Sequence, residues 1–209
     1  MNYPSLLSQY PIISDQISQS ALGIVLRELE QVLQQNVTGE VAEFGCYIGT
    51  TSVFIRRLLD TVGQSTARNF YAYDSFAGLP EKTAHDDSMA GLAFKSGELS
   101  VSKKQFLQTF YKANLATPIT YKGWFKDLTP AQLPNTVAFA FLDSDFYQSI
   151  LDSLRLVWPR LSPGGVITID DYQREALPGV TTAVGDFFKG KPVNIRYEHN
   201  IAVIKKQTS

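Results

Sequence analysis

The sequence predicts an α/β domain built on a mostly parallel sheet. Strand-like apolar runs alternate with amphipathic helical runs, the pattern of successive βαβ units. The 209 residues suffice for one such domain with a sizeable core, and no linker-like tract divides them, so 1–209 is read as a single domain. Two of the strand runs stop on crowded carboxylates, at the strand ends where an open α/β sheet binds its ligands.

Each element follows from local pattern. Leu22, Leu26, Leu29 and Leu33 recur at helical spacing, so the N-terminal segment of about 1–36 carries an amphipathic helix over roughly 16–34. "EVAEFG" (40–45) is a short strand, "TTSVFIRRLLD" (50–60) a helix and "NFYAYD" (69–74) a second strand. "ITYKG" (119–123), "TVAFAFLD" (136–143) and "GVITIDD" (165–171) are further strands, rich in β-branched and aromatic residues. Between the last two, "SILDSLRLVWPRL" (149–161) is a helix that stops at Pro163-Gly164-Gly165. "VNIRYEHNIAVIKK" closes the chain as two strands turning around Glu198–Asn200. Residues 77–100 fit neither period, and an insertion of that length between strand and helix is read as a lid over a site, against the plainer reading of a surface loop.

Composition narrows the function classes. A net charge of -1 argues against a nucleic-acid partner. No apolar stretch approaches the ~20 residues that span a bilayer, and the N-terminus lacks the pattern of a signal peptide. The single cysteine, Cys46, precludes a disulfide framework within the chain and points to a reducing, cytoplasmic setting. With no basic neighbour in sequence, Cys46 is expected to be a packing residue.

The turn after the first strand, "EFGCYIGTTS", excludes some cofactors. Gly45 and Gly49 supply tight turns, and Thr50, Thr51 and Ser52 are capping candidates for the helix that follows. The dinucleotide pattern GxGxxG would place a glycine at 47, where Tyr47 would obstruct a pyrophosphate. The phosphate-loop pattern GxxxxGK[ST] is absent. Glu43 is an acid beside this turn, suited to a cationic ligand, and Asp74 ends the second strand, suited to ribose hydroxyls. A nucleoside with a positive centre and no phosphate describes S-adenosylmethionine.

"AFAFLDSDFYQS" (138–149) and "GGVITIDDYQ" (164–173) raise a second question, because Asp143, Asp145, Asp170 and Asp171 crowd like charges that raise one another's pKa. The plain alternative is helix capping, with Asp145 as N-cap of a helix beginning near Tyr147. A DxD phosphotransferase is a rival. There, however, the motif ends the first strand and carries Thr or Val two positions on, whereas here it ends the fourth and the residue is Tyr147. "HDDS" (85–88) is read as a solvated acidic loop, against the alternative that it reaches a substrate or metal when the lid closes, and Trp124-Phe125 as core or as a cofactor platform.

The pieces "EFGCYIGTT", "YDSFAGLP", "GWFKDLTP", "LDSDFYQS" and "PGGVITIDDY", in that order over roughly 40–175, resemble class I S-adenosylmethionine-dependent methyltransferases of the macrocin O-methyltransferase group. The resemblance implies a Rossmann-like, doubly wound, mostly parallel seven-stranded sheet, and divalent-metal-dependent methyl transfer to a hydroxyl of a sugar or sugar-bearing small molecule. It implies Asp143, Asp170 and Asp171 as metal ligands and Asp145, beside Asp143, as catalytic. The methionine end of the cofactor would lie along Glu43, Gly45, Cys46, Tyr47, Gly49 and Thr50, with the ribose on Asp74. The adenine would lie near Ser75, Phe76, Gly123, Trp124 and Phe125, with Asp143 also on the cofactor side. Ser144 replaces the glycine often seen inside DxD, and the first 35 residues and 77–100 do not match, which leaves the acceptor open.

Three carboxylates on neighbouring strands are an all-oxygen set that selects a hard cation such as Mg²⁺, and no cysteine–histidine set exists for zinc. Such a cation would acidify a hydroxyl, and Asp145 would be placed to take its proton. A catechol-type acceptor suits the same chemistry, and a non-enzymatic binder is the remaining alternative. Homodimerisation through the N-terminal helix or the lid is an expectation by analogy.

Overall fold

The computed structural model of the chain describes residues 2–207. Its seven-stranded sheet has the order β3-β2-β1-β4-β5-β7-β6, with β1 (Glu40–Phe44), β2 (Phe70–Asp74), β3 (Ile119–Lys122), β4 (Val137–Leu142) and β5 (Leu161–Ile169) parallel. β6 (Ile195–Glu198) and β7 (Ile201–Lys205) form a hairpin, and β7 runs antiparallel to β5. The expected mostly parallel doubly wound sheet is therefore present. The hairpin turn uses His199 and Asn200, both at positive φ, as a two-residue turn between twisted strands requires.

The helices are α1 (Tyr3–Gln9), α2 (Gln19–Gln34), α3 (Thr50–Thr61), α4 (Lys103–Lys112), α5 (Tyr147–Val157) and α6 (Pro178–Phe188). Alternation along the strands sorts the core into two layers. Val41, Phe139 and Phe141 face α2, α3 and α4, where Leu22, Leu26, Phe54, Phe106 and Phe110 are buried. Ala42, Phe44, Ala140, Leu142, Ile167 and Ile169 face α5 and α6. The sequence reading missed α1, α4 and α6. In α6, "PGVTTAVGDFF" carries two glycines and four β-branched residues, weak helix formers that fold here through burial of Val180, Ala183, Val184 and Phe188.

Register positions the site. Phe44 lies opposite Tyr73 and Leu142, and Leu142 opposite Ile169. The next residues on four adjacent strands are Gly45, Asp74, Asp143 and Asp170, and the hydrogen-bond ladder runs one step further. Gly45 N donates to Tyr73 O at 2.9 Å, Asp143 N to Phe44 O at 2.8 Å and Asp170 N to Leu142 O at 2.9 Å. The acids leave one flush edge of the sheet, on both sides of the β1–β4 boundary where the strand order reverses.

Candidate active site

A cavity of about 610 Å³ opens over this edge. Gly45, Cys46, Tyr47, Asp74, Ser75, Trp124, Phe125, Asp143, Asp145 and Asp171 line it. Glu43, Gly49, Thr50, Phe76, Gly123 and Asp170 are not among the residues that line it. Glu43 alternates with Ala42 and Phe44, so its side chain enters the α3 layer, where it is 1% exposed and accepts a hydrogen bond from Ser52 Oγ. Burial, with the charge of Asp74 adding to it, raises its pKa to about 8.

The capping expectation for α3, the helix after β1, is corrected. Gly49, at φ +90°, is the N-cap of α3 and makes no side-chain cap; Ser52 is engaged by Glu43, and Thr50 Oγ1 is buried without a partner. Gly45, at φ +86°, is required by a close approach, because a Cβ there would lie 1.6 Å from the carbonyl oxygen of Asp143.

Asp74 carries more backbone than expected. Its Oδ2 accepts the N–H groups of Cys46 (2.7 Å) and Tyr47 (3.1 Å), and its Oδ1 that of Phe76 (2.6 Å). One carboxylate thus shapes the turns after β1 and β2. Burial raises its pKa, and the three N–H donors pull it back. Tyr47 and Phe76 both sit at positive φ, which that carboxylate helps to hold. Cys46 is buried, its thiol directed at Tyr73 O, and burial pushes its pKa well up, consistent with a packing role. Trp124 is 37% exposed at the cavity mouth, while the Phe125 ring packs edge-on to Phe44 with centroids 5.3 Å apart.

The acidic side gathers Asp143, Asp145, Asp170 and Asp171. Burial raises all four, most strongly Asp143, which also feels Asp170, Asp145 and Asp171. Burial and then Asp171 bring Asp145 to about 7, and the same two causes bring Asp170 to about 8. Asp145 and Asp171 occupy positive φ, a strained conformation that turns each back over the sheet edge. Asp145 does not cap α5, whose N-cap is Phe146 without a side-chain bond.

A counter-charge that sequence reasoning missed is Arg174, whose Nη1 donates to Asp171 Oδ1 at 2.5 Å. Its only signal was its place three residues after the DD pair. The donor chemistry is of the kind a hard cation takes: the buried Asp170 and Asp171 and the half-buried Asp143 and Asp145 gather beside one guanidinium, which pairs with Asp171. As oriented, however, Asp170 Oδ1 accepts Asp171 N and Asp171 is clamped by Arg174. Among the described residues, no group of three or more acidic, histidine or cysteine side chains is disposed to hold an ion.

The 77–100 segment forms part of the wall through Leu79, Thr83, Phe94 and Leu99. Within "HDDS" Asp86 departs from the solvated acidic loop expected, being 1% exposed, while His85 and Asp87 are exposed. Sequence reading also missed the polar face that α5 turns to the cavity through Gln148, Ser149 and Asp152.

Among the described residues, no helix is long and apolar enough to cross a membrane. A family profile described as macrocin-O-methyltransferase (TylF) matches residues 16–201. The chain is 37% identical over 164 residues to the 8-demethyl-8-(2,3-dimethoxy-alpha-L-rhamnosyl)-tetracenomycin-C 4'-O-methyltransferase of Streptomyces olivaceus, covering 76% of this chain but only 61% of that enzyme. It is 30% identical over 186 residues to the mycinamicin III 3''-O-methyltransferase of Micromonospora griseorubida, covering 85% of this chain and 72% of that one. In fold it is similar to the O-methyltransferase NovP, with a TM-score of 0.77 and 24% identity over 90% of this chain and 79% of that one.

Proposed function

This chain belongs to the macrocin-O-methyltransferase family, and from that premise we propose that it transfers a methyl group from S-adenosylmethionine to a hydroxyl of a sugar or sugar-bearing small molecule. The observation that carries the reading is the flush row of Gly45, Asp74, Asp143 and Asp170. It sets the Asp74-shaped turn, where Tyr47 stands in place of the glycine that a pyrophosphate would need, beside Asp145 in one cavity.

S-adenosylmethionine supplies a methyl group already activated on a sulfonium, so the protein's work is placement and proton removal. Gly45 to Tyr47 give the nucleoside–methionine wall, Asp74 retains lone-pair capacity toward ribose hydroxyls, and Trp124 and Phe125 offer aromatic surface to the adenine. Asp145, with a pKa near 7, is the base that takes the acceptor hydroxyl's proton at neutral pH. Fixing oxygen, methyl carbon and sulfur in line supplies much of the remaining rate. Asp143, Asp170 and Asp171 would hold a hard divalent cation such as Mg²⁺, with Arg174 withdrawing from Asp171. When bound, such a cation lowers the pKa of a hydroxyl that it touches.

A hydroxyl-rich acceptor is favoured over a catechol by the polar groups of Gln16, Gln148, Ser149 and Asp152 on the cavity wall, and by the rhamnosyl group in one relative's name. A single domain with 77–100 as its lid, a cytoplasmic setting and a homodimer belong to the same reading. Size-exclusion chromatography with light scattering tests the dimer.

The deciding experiment titrates S-adenosylmethionine into the protein by calorimetry, with NADH as control. Micromolar binding of the first and none of the second is expected. Absence of S-adenosylmethionine binding with and without Mg²⁺ would sink the reading.

A further inference from the structure

We propose that Asp86, in the 77–100 segment, is a positioning residue for the acidic turn: its buried carboxylate anchors the start of α5 and thereby sets how Asp145 enters the cavity. This rests on the methyltransferase reading only for what Asp145 does there.

The geometry is specific. Asp86 Oδ1 accepts the backbone N–H of Tyr147, the first residue of α5, at 2.6 Å, across 61 residues of sequence. That N–H is one of the donors a helix start leaves unpaired, and α5 has no side-chain cap of its own. Asp86 Oδ2 accepts Thr83 N and Thr83 Oγ1, each at 2.8 Å, which fixes the carboxylate's rotamer. The start of α6 closes over the same group, since a Cβ on Gly179 would lie 1.9 Å from Asp86 Oδ1 and 2.9 Å from Tyr147 N. Two helix N-termini therefore converge on one buried acid, the favourable end of each dipole for a negative charge.

Its neighbours extend the hold to the residues just after Asp145. The His85 ring stacks on Tyr147 with centroids 4.1 Å apart, and Lys82 Nζ lies 5.5 Å from the centre of the Phe146 ring. Asp145 sits one residue before Phe146 at φ +60°, in a turn closed by Phe146 N donating to Ser144 O at 2.6 Å. A strained residue persists only where its surroundings over-determine it, and here one flank is held by the sheet and the other by Asp86. Ser88 Oγ, donating to Glu175 O at 2.7 Å, and Phe94 against Arg174 tie the same segment to the loop after β5. Far from being a free flap at this point, the segment is built into the site.

The test compares ¹⁵N-labelled wild type with Asp86→Asn, Asp86→Ala and Gly179→Ala by amide resonances, hydrogen exchange and S-adenosylmethionine calorimetry. In the wild type, the Tyr147 amide should be protected at least tenfold more than in Asp86→Ala. That variant should shift the Ser144–Tyr147 resonances and leave Gly45–Gly49 in place. Asn, which keeps an acceptor for Tyr147, should restore most of the protection, and Gly179→Ala should mimic the loss by displacing the carboxylate. Unchanged Ser144–Tyr147 resonances in Asp86→Ala would overturn the proposal, as would a general loss of dispersion in Asp86→Asn. A wild type that binds no S-adenosylmethionine would defeat the methyltransferase reading while leaving the amide result to decide the anchor.

Discussion

The carboxylate of Asp74 accepts the backbone N–H of Cys46 at 2.7 Å, and the same oxygen accepts that of Tyr47 at 3.1 Å. The residue proposed to reach a ribose is also the staple between the turns after β1 and β2. Asp74→Ala should therefore lose stability and binding together. Unpairing buried donors costs about 1–3 kcal/mol, so a lower Tm should accompany at least a tenfold weaker S-adenosylmethionine affinity. Thermal melting and calorimetry on the same sample check this; full stability with abolished binding would show that the staple is unimportant.

Asp145 should separate binding from turnover. Asp145→Asn removes the proposed base without changing size, so methyl transfer to a rhamnoside acceptor should fall by roughly 10²–10⁴-fold. The S-adenosylmethionine Kd should stay within about twofold. Comparable losses in both would place Asp145 on the cofactor instead.

Arg174 and a divalent cation should compete for Asp171. Arg174→Ala frees Asp171 Oδ1, so Mn²⁺ or Mg²⁺ should bind several-fold more tightly than in the wild type by calorimetry. The metal-free variant, with one less counter-charge beside the clustered acids, should melt lower and recover on adding Mg²⁺. If neither protein binds a divalent cation, the metal leaves the proposed chemistry.

Stability should fall with rising pH. Glu43 has a folded pKa of about 8, above its ordinary 4.5, because burial disfavours its charge. A raised pKa gives stability that is complete below the unfolded value and lost as pH climbs through the folded one, a window here of about 4.5 to 8. Metal-free protein should lose roughly 5 °C or more in Tm between pH 5 and 8, and Glu43→Gln should flatten that slope. A Tm that rises over this window would contradict the burial of a neutral Glu43.

Most of the fold was legible in sequence because its signals are periodic. The runs ending in Asp74, Asp143 and Asp170 are β4-like apolar stretches flanked by acids, and they fell on the strands expected. What stayed hidden depends on contacts between distant segments. Asp86 looks like any loop acid until its carboxylate meets Tyr147 N, 61 residues on. Glu43 looks like a ligand until strand alternation turns it toward Ser52. Arg174 acquires meaning only beside Asp171, and the positive φ of Tyr47 has no counterpart in residue type.

The hairpin that closes the sheet has a consequence for synthesis. β7 lies between β5 and β6, so a nascent chain that has already made β5 still shows Val166–Ile169 as an open edge until Ile201–Lys205 emerge. An apolar strand edge is a template for pairing with other chains. Translation that stalls before Ile201 should leave an aggregation-prone product, and the acidic turn after β5 acquires its final support, Asn200 O accepting Tyr172 N, only when the last hairpin pairs with β5.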